Sequence, residues 1–367
     1  MMTRRQLARM ALAGTALTEA AFAQRALVAG ELPKDMVWLN ANENPLGPPA
    51  VSLRAMTEAL PTAGRYHFQE FRAFTEAVAR SEGLEAEWVL AGAGSSEPLQ
   101  IAVQAFTAPD RPLIAMEPSF ELPGEVARTL GHPVIPVPLT TGYFADVRRM
   151  AAEAAKARGG LLYVCNPNNP TGAVTPRRDI DWLAANLPAN TVLIVDEAYI
   201  HFADTPEMAS ALEHVRVRRN VIVARTFSKI YGMAGLRVGF TCAPPEITAR
   251  LARRKNNVIS IVSARAALAA LGDRDRILAE RRTGLLRTRA ALYKWLEERG
   301  LRYIPSHANF LMIDIGRPPG EFGMKMMRLG VAPGRPFPPL DTFLRVSIGT
   351  DADMEKFREV FWKVYRS

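Results

Sequence analysis

The 367-residue sequence predicts an α/β protein, a large domain built on a mostly parallel sheet followed by a smaller α+β domain. Three observations carry this. The length is that of two or three ordinary domains, or of one large α/β unit with an appendage, and is ample for a sizeable core. From Trp88 to about Ala243, short runs rich in Val, Ile and Leu alternate with turns and helical stretches, the rhythm of parallel strands joined by crossover helices. Beyond Ser263 that rhythm gives way to one long helical segment and a series of shorter elements.

In chain order, Thr3-Arg4-Arg5-Gln6-Leu7 precedes an Ala-rich apolar stretch that ends in Ala21-Phe22-Ala23. This is the three-part layout of an export signal and resembles a twin-arginine address, so residues 1–30 predict a periplasmic protein; the alternative is an amphipathic N-terminal helix on a cytoplasmic one. Residues 31–60, with Pro45, Pro48 and Pro49, read as a loop and helix expected to pack on the small domain. Residues 61–262 form the large domain. Its strands are predicted at Trp88–Ala91, Pro112–Met116, Leu161–Cys165, Val192–Val195, Val221–Ala224 and Val238–Thr241, several apolar throughout as strands buried on both faces should be. Residues 263–367 form the small domain. It comprises a helix over Asp275–Arg299, strands at Arg302–Ile304, Asn309–Ile315 and Leu344–Ile348, a helix near Glu321–Leu329 and a closing helix from Asp351.

Lys and Arg number 46 against 37 Asp and Glu, a net charge of +9, but the basic residues are spread along the chain and interleaved with acids. Nucleic acid is therefore not an expected partner. Cys165 and Cys242 stand far apart without a C-x-x-C, which excludes a disulfide framework and a cysteine zinc site; no metal is expected. Outside the N-terminal segment, no stretch approaches the roughly 20 apolar residues of a membrane span.

Ligands of an open parallel sheet gather where its strands end, and four strand ends carry polar clusters. After the first comes Gly92-Ala93-Gly94-Ser95-Ser96-Glu97 and then a helix. Glycines there let backbone N–H groups approach an anion at a helix N-terminus, although an ordinary strand-to-helix turn has the same composition. A dinucleotide fingerprint fails at Glu97, and no Gly-Lys-Ser/Thr completes a nucleotide-phosphate loop. After Cys165 comes Asn166-Pro167-Asn168-Asn169-Pro170-Thr171-Gly172, in which prolines fix a backbone that aims Asn side chains at one place or simply forms Asx turns. Asp196 continues an apolar strand, where a carboxylate calls for a cationic partner or caps the next helix. The fourth cluster runs from Arg225 to Arg237. Lys229 is flanked there by Phe227, Ile230 and Tyr231, and an amine held among apolar groups has a lowered pKa and attacks carbonyls. Thr226, Ser228 and Arg237 suit a phosphate monoester. An amine for a Schiff base, a buried carboxylate, Asn and Tyr side chains and a phosphate cradle together match the needs of pyridoxal 5'-phosphate.

From about Val37 onward the chain resembles the fold-type-I pyridoxal-phosphate aminotransferases, and within them the histidinol-phosphate aminotransferase branch. The motifs are NANENPLG (Asn40–Gly47), NPNNPTG (Asn166–Gly172), VDEAYIHF (Val195–Phe202), RTFSKIYGMAGLRVGF (Arg225–Phe240) and FLRVSIGT (Phe343–Thr350). The resemblance implies a three-layer αβα large domain and a ping-pong transaminase. By the same likeness Lys229 holds the cofactor and moves the proton, Asp196 pairs with the pyridinium nitrogen, and Asn169 and Tyr199 bond the ring oxygen. Ser95, Ser96, Thr226, Ser228 and Arg237 hold the phosphate, and Phe120 stacks on the ring where the branch usually has Tyr. Tyr66 implies a homodimer with shared sites, because its counterpart reaches the neighbouring subunit's cofactor. Asn42, Asn309 and Arg345 are implied substrate contacts. Leu46 replaces the branch's usual tyrosine, and Arg335 stands about two positions from the usual second substrate-phosphate arginine. The implied partners are a small amino donor, histidinol phosphate or an aromatic amino acid, and a 2-oxo acid, 2-oxoglutarate. A decarboxylase of a phosphorylated amino acid or a β-lyase is the alternative on the same fold.

Overall fold

The computed structural model describes residues 33–217 and 219–367; residues 1–30, for which an export signal is expected from the sequence, lie outside the described residues. Strand β1 (Val37–Leu39) comes first. The central sheet follows, built from β2 (Val89–Gly92), β3 (Leu113–Glu117), β4 (Val134–Pro138), β5 (Gly160–Cys165), β6 (Thr191–Asp196), β7 (Val221–Thr226) and β8 (Gly239–Cys242), in the order β2-β8-β7-β6-β5-β3-β4. Only β8 runs antiparallel to its neighbours. Every residue of β5, β6 and β7 is buried, so apolar side chains are needed on both faces.

The sequence reading missed β4. Its Val-Ile-Pro-Val-Pro has two residues without an N–H donor and so reads as a loop. The strand sits at the sheet edge with β3 as its one neighbour, where proline is tolerated.

The C-terminal part holds β9 (Tyr303–Ile304), β10 (Phe310–Asp314), β11 (Val331–Pro333) and β12 (Phe343–Ser347). β9, β10 and β12 form an antiparallel sheet, and β11 pairs in parallel with β1. The closing helix Asp351–Tyr365 begins with a capping box in which Thr350 Oγ1 accepts the Asp353 N–H at 3.1 Å and the Asp353 carboxylate accepts the Thr350 N–H at 2.8 Å. Its Phe357 and Phe361 pack with Leu292, Leu296 and Leu311 in a second core. Among the described residues no helix is long and apolar enough to cross a membrane.

Residues 31–60 were expected on the small domain, and the described stretch 33–43 meets it: β1 pairs with β11, the Asn42 N–H donates to Ser347 Oγ at 2.8 Å, and Lys356 Nζ donates to the Asp35 carbonyl at 2.9 Å. The helix Ala50–Ala59 lies instead against the helix Ile261–Gly272, with Ser52 Oγ donating to the Ala266 carbonyl at 2.8 Å. Ala264, Ala266, Ala267 and Ala270 of that second helix, and Ile277 beyond it, belong to the large core. The change of core therefore falls later than the change of sequence pattern at residue 263. The helix Arg274–Glu297 bridges the two, with Ile277 in the first core and Leu292 and Leu296 in the second.

Candidate active site

The carboxyl ends of β5, β6 and β7 and the turn after β2 open on a cavity of about 390 Å³. All the sequence-predicted site residues line it except Tyr66 and Asn309.

Asp196 ends β6 and is 2% exposed. The Tyr163 hydroxyl donates to one carboxylate oxygen and the Ala198 N–H to the other, both at 3.1 Å. Burial outweighs these bonds and raises its pKa to about 6. Tyr163 was not singled out from sequence; the one signal is a phenol in the otherwise apolar Leu-Leu-Tyr-Val-Cys of β5.

Lys229 follows β7, and its Nζ donates to the carbonyls of Asn42 at 3.1 Å and Ala41 at 3.3 Å. Burial lowers the pKa to about 8; Arg237 pushes the same way, and Glu43 and Asp196 oppose. The Tyr199 ring lies 5.5 Å from Nζ. The Tyr199 hydroxyl accepts from Asn42 Nδ2 at 3.2 Å, its ring packs edge-on against Phe310, and burial pushes the phenol pKa up.

Ser95 and Ser96 stand at the start of the helix Ser96–Phe106, facing Thr226, Ser228 and Arg237. Thr226 Oγ1 donates to Ser228 Oγ at 2.8 Å, while Arg237 reaches Ser228 Oγ at 3.3 Å and Ser96 Oγ at 3.4 Å. Glycine is required at two points, one in the turn and one in β8 beside it. A Cβ on Gly94, whose φ is +69°, would stand 2.3 Å from the Arg237 guanidinium, and one on Gly239 would stand 2.6 Å from the Ser95 nitrogen. Close backbone approach at a helix N-terminus, hydroxyls and a guanidinium form an anion cradle.

Two arginines line the same cavity. Arg345 of β12, 1% exposed, donates to Asn169 Oδ1 at 2.9 Å and to the Asn40 carbonyl, and burial lowers its pKa to about 9. Arg335 pairs with the Glu121 carboxylate and lies 4.1 Å over the Phe337 ring. Phe120 lines the same cavity.

The two exceptions have specific places. Tyr66 is 73% exposed and stacks on Phe68, away from its own chain's cavity. Asn309 sits behind the cavity, where its Nδ2 donates to the carbonyls of Asn42 and Glu43 at 3.0 and 3.1 Å. It thereby braces the backbone that receives Lys229, and it lines a neighbouring cavity instead.

The anion cradle, the buried carboxylate and the amine of lowered pKa fit pyridoxal 5'-phosphate, which carries a phosphomonoester, a basic ring nitrogen and an aldehyde.

Comparison with known proteins agrees. The family profile Aminotransferase class I and II matches residues 34–361. A histidinol-phosphate aminotransferase of Symbiobacterium thermophilum is 40% identical over 330 residues, 89% of each chain. An aromatic amino acid aminotransferase of Cutibacterium acnes is 33% identical over 88% of this chain and 90% of its own. The crystal structure of histidinol-phosphate aminotransferase from Sinorhizobium meliloti in complex with pyridoxal-5'-phosphate superposes with a TM-score of 0.86 at 26% identity, covering 96% of this chain and 95% of that one.

Proposed function

Because the chain belongs to the class I and II aminotransferases, we propose that it moves an amino group from a phosphorylated amino alcohol of the histidinol phosphate kind to 2-oxoglutarate. The shared activity of the family is transamination with pyridoxal 5'-phosphate, which when bound supplies an electron sink and a carbonyl that takes the amino group. The residues divide the remaining work. Lys229 Nζ, with its lowered pKa, takes the proton from the substrate carbon and returns it. Asp196 holds the charged ring nitrogen, Asn169 and Tyr199 orient the ring, and the Ser95–Ser96 turn with Arg237 holds the phosphate.

One observation supports this donor most: Arg335 and Arg345 line the same cavity. Two guanidiniums suit a substrate pair in which one member carries a phosphate and the other two carboxylates. Phe120 and Phe337 in the same wall support a second reading, an aromatic amino acid donor. The half-reaction with donor alone separates them. Arg335→Gln should raise KM for histidinol phosphate by about tenfold or more, the loss of one charge-assisted contact, and leave phenylalanine within about twofold. Equal effects on both donors would remove the phosphorylated substrate from the account.

The reading includes a homodimer. Leu60, Tyr66 and Phe68 are exposed apolar groups within one nine-residue stretch, and Tyr66 does not line its own chain's cavity. Sedimentation should give twice the chain mass, and a monomer that turns over at full rate would refute a shared site.

A further inference from the structure

Two arginines line the cavity. Arg345 donates to the neutral oxygens of Asn169 and Asn40. Arg335 is paired with a carboxylate, that of Glu121, which also lines the cavity. The Arg335 side chain is 12% exposed and its Nε is buried without a hydrogen-bond partner, whereas the Glu121 side chain is 38% exposed. Phe337 backs the guanidinium at 4.1 Å and fixes its plane. A substrate anion that reaches Arg335 therefore meets an anion already there. Glu121 is free to yield, because water can solvate its carboxylate outside the pair, while Arg335 stays seated on the ring.

Resting on the reading of Arg335 as an anion contact, we propose that Glu121 is a specificity-determining residue, an internal anion that a substrate phosphate or distal carboxylate must displace. Between half-reactions the pair keeps the Arg335 charge compensated and its fork oriented. A donor with an uncharged side chain leaves the pair closed and meets Phe337 and Phe120 beside it. An anionic substrate exchanges one carboxylate for its own charge, and its net affinity is the difference between the two contacts. The acidic residue thus lowers affinity for anionic substrates and lets one cavity also accept neutral side chains.

The test uses holoenzyme and inorganic phosphate as the probe, since the cofactor then fills the cradle near Arg237. Glu121→Gln keeps the side-chain size and removes the charge. It should tighten phosphate about three- to tenfold, the effect of releasing a partly exposed ion pair. It should also raise kcat/KM for 2-oxoglutarate relative to phenylpyruvate by a similar factor. Adding Arg335→Gln to that variant should cancel both gains. Unchanged or weaker phosphate binding in Glu121→Gln, or gains that survive the loss of Arg335, would overturn the proposal. Tighter phosphate in a protein that does not use histidinol phosphate would overturn the donor assignment and leave the role of Glu121 standing.

Discussion

Lys229→Ala is expected to lower turnover by about four to six orders of magnitude and to remove the visible absorbance of the holoenzyme. The size follows from the two duties proposed for one atom: Nζ would both hold the cofactor aldehyde and move the proton, so no neighbour replaces it. The hydrogen bonds it makes now, to the Ala41 and Asn42 carbonyls, are to neutral acceptors and leave no ion pair to break. Burial is what prepares the amine. An amine attacks only when unprotonated, and a pKa near 8 leaves about one lysine in ten neutral at pH 7, against fewer than one in about a thousand at the ordinary value. Uptake of the cofactor by the apoprotein should therefore quicken with rising pH and level off above about 8. Stopped-flow absorbance reads both effects. A rate flat between pH 6 and 8, or a visible band that survives in Lys229→Ala, would remove the residue from its role.

Asp196→Asn should cost about two to four orders of magnitude in kcat, the equivalent of about 3–5 kcal/mol for leaving a buried charge without its partner. The side chain keeps its shape and can still accept from the Ala198 N–H, but its amide nitrogen cannot accept from the Tyr163 hydroxyl, so the loss reads the charge together with that one hydrogen bond. The direction with pH is fixed by the raised pKa. In the apoprotein the carboxyl protonates as pH falls through about 6, so cofactor affinity should weaken there; the neutral form cannot hold a ring cation. Equilibrium titration across pH 5–8 and steady-state kinetics check this. Activity in the Asn variant within fivefold of the parent would show that Asp196 does not face the ring nitrogen.

What the sequence revealed and what it hid follow from how each feature is encoded. The strands β5, β6 and β7 are buried on both faces, which forces the apolar runs Leu161–Cys165, Val192–Val195 and Val221–Ala224 that any reader sees. The turns after them carry glycine, proline and asparagine because the backbone there must bend or approach an anion, so Gly94, Asn169 and Lys229 were legible. The edge strand β4 obeys a looser rule and passed as a loop. Contacts between distant segments left no local mark. Asn169 meets Arg345 across 176 residues, and Glu121 meets Arg335 across 214. Glu121 lies in no motif and Arg335 was noticed only as a displaced arginine, so their pairing appears only in three dimensions. Asn309, a substrate contact implied only by resemblance, has its side chain on the Asn42 and Glu43 carbonyls, a contact that no local pattern marks.

The central claim is amino transfer from a phosphorylated donor, and a single half-reaction tests it most directly. Holoenzyme is mixed with histidinol phosphate and no acceptor, and the visible spectrum and products are followed together. The visible band should disappear with one equivalent of oxo product per site and return on adding 2-oxoglutarate. A spectrum unmoved by histidinol phosphate, or release of carbon dioxide or pyruvate from amino acid donors without amino transfer, would contradict it.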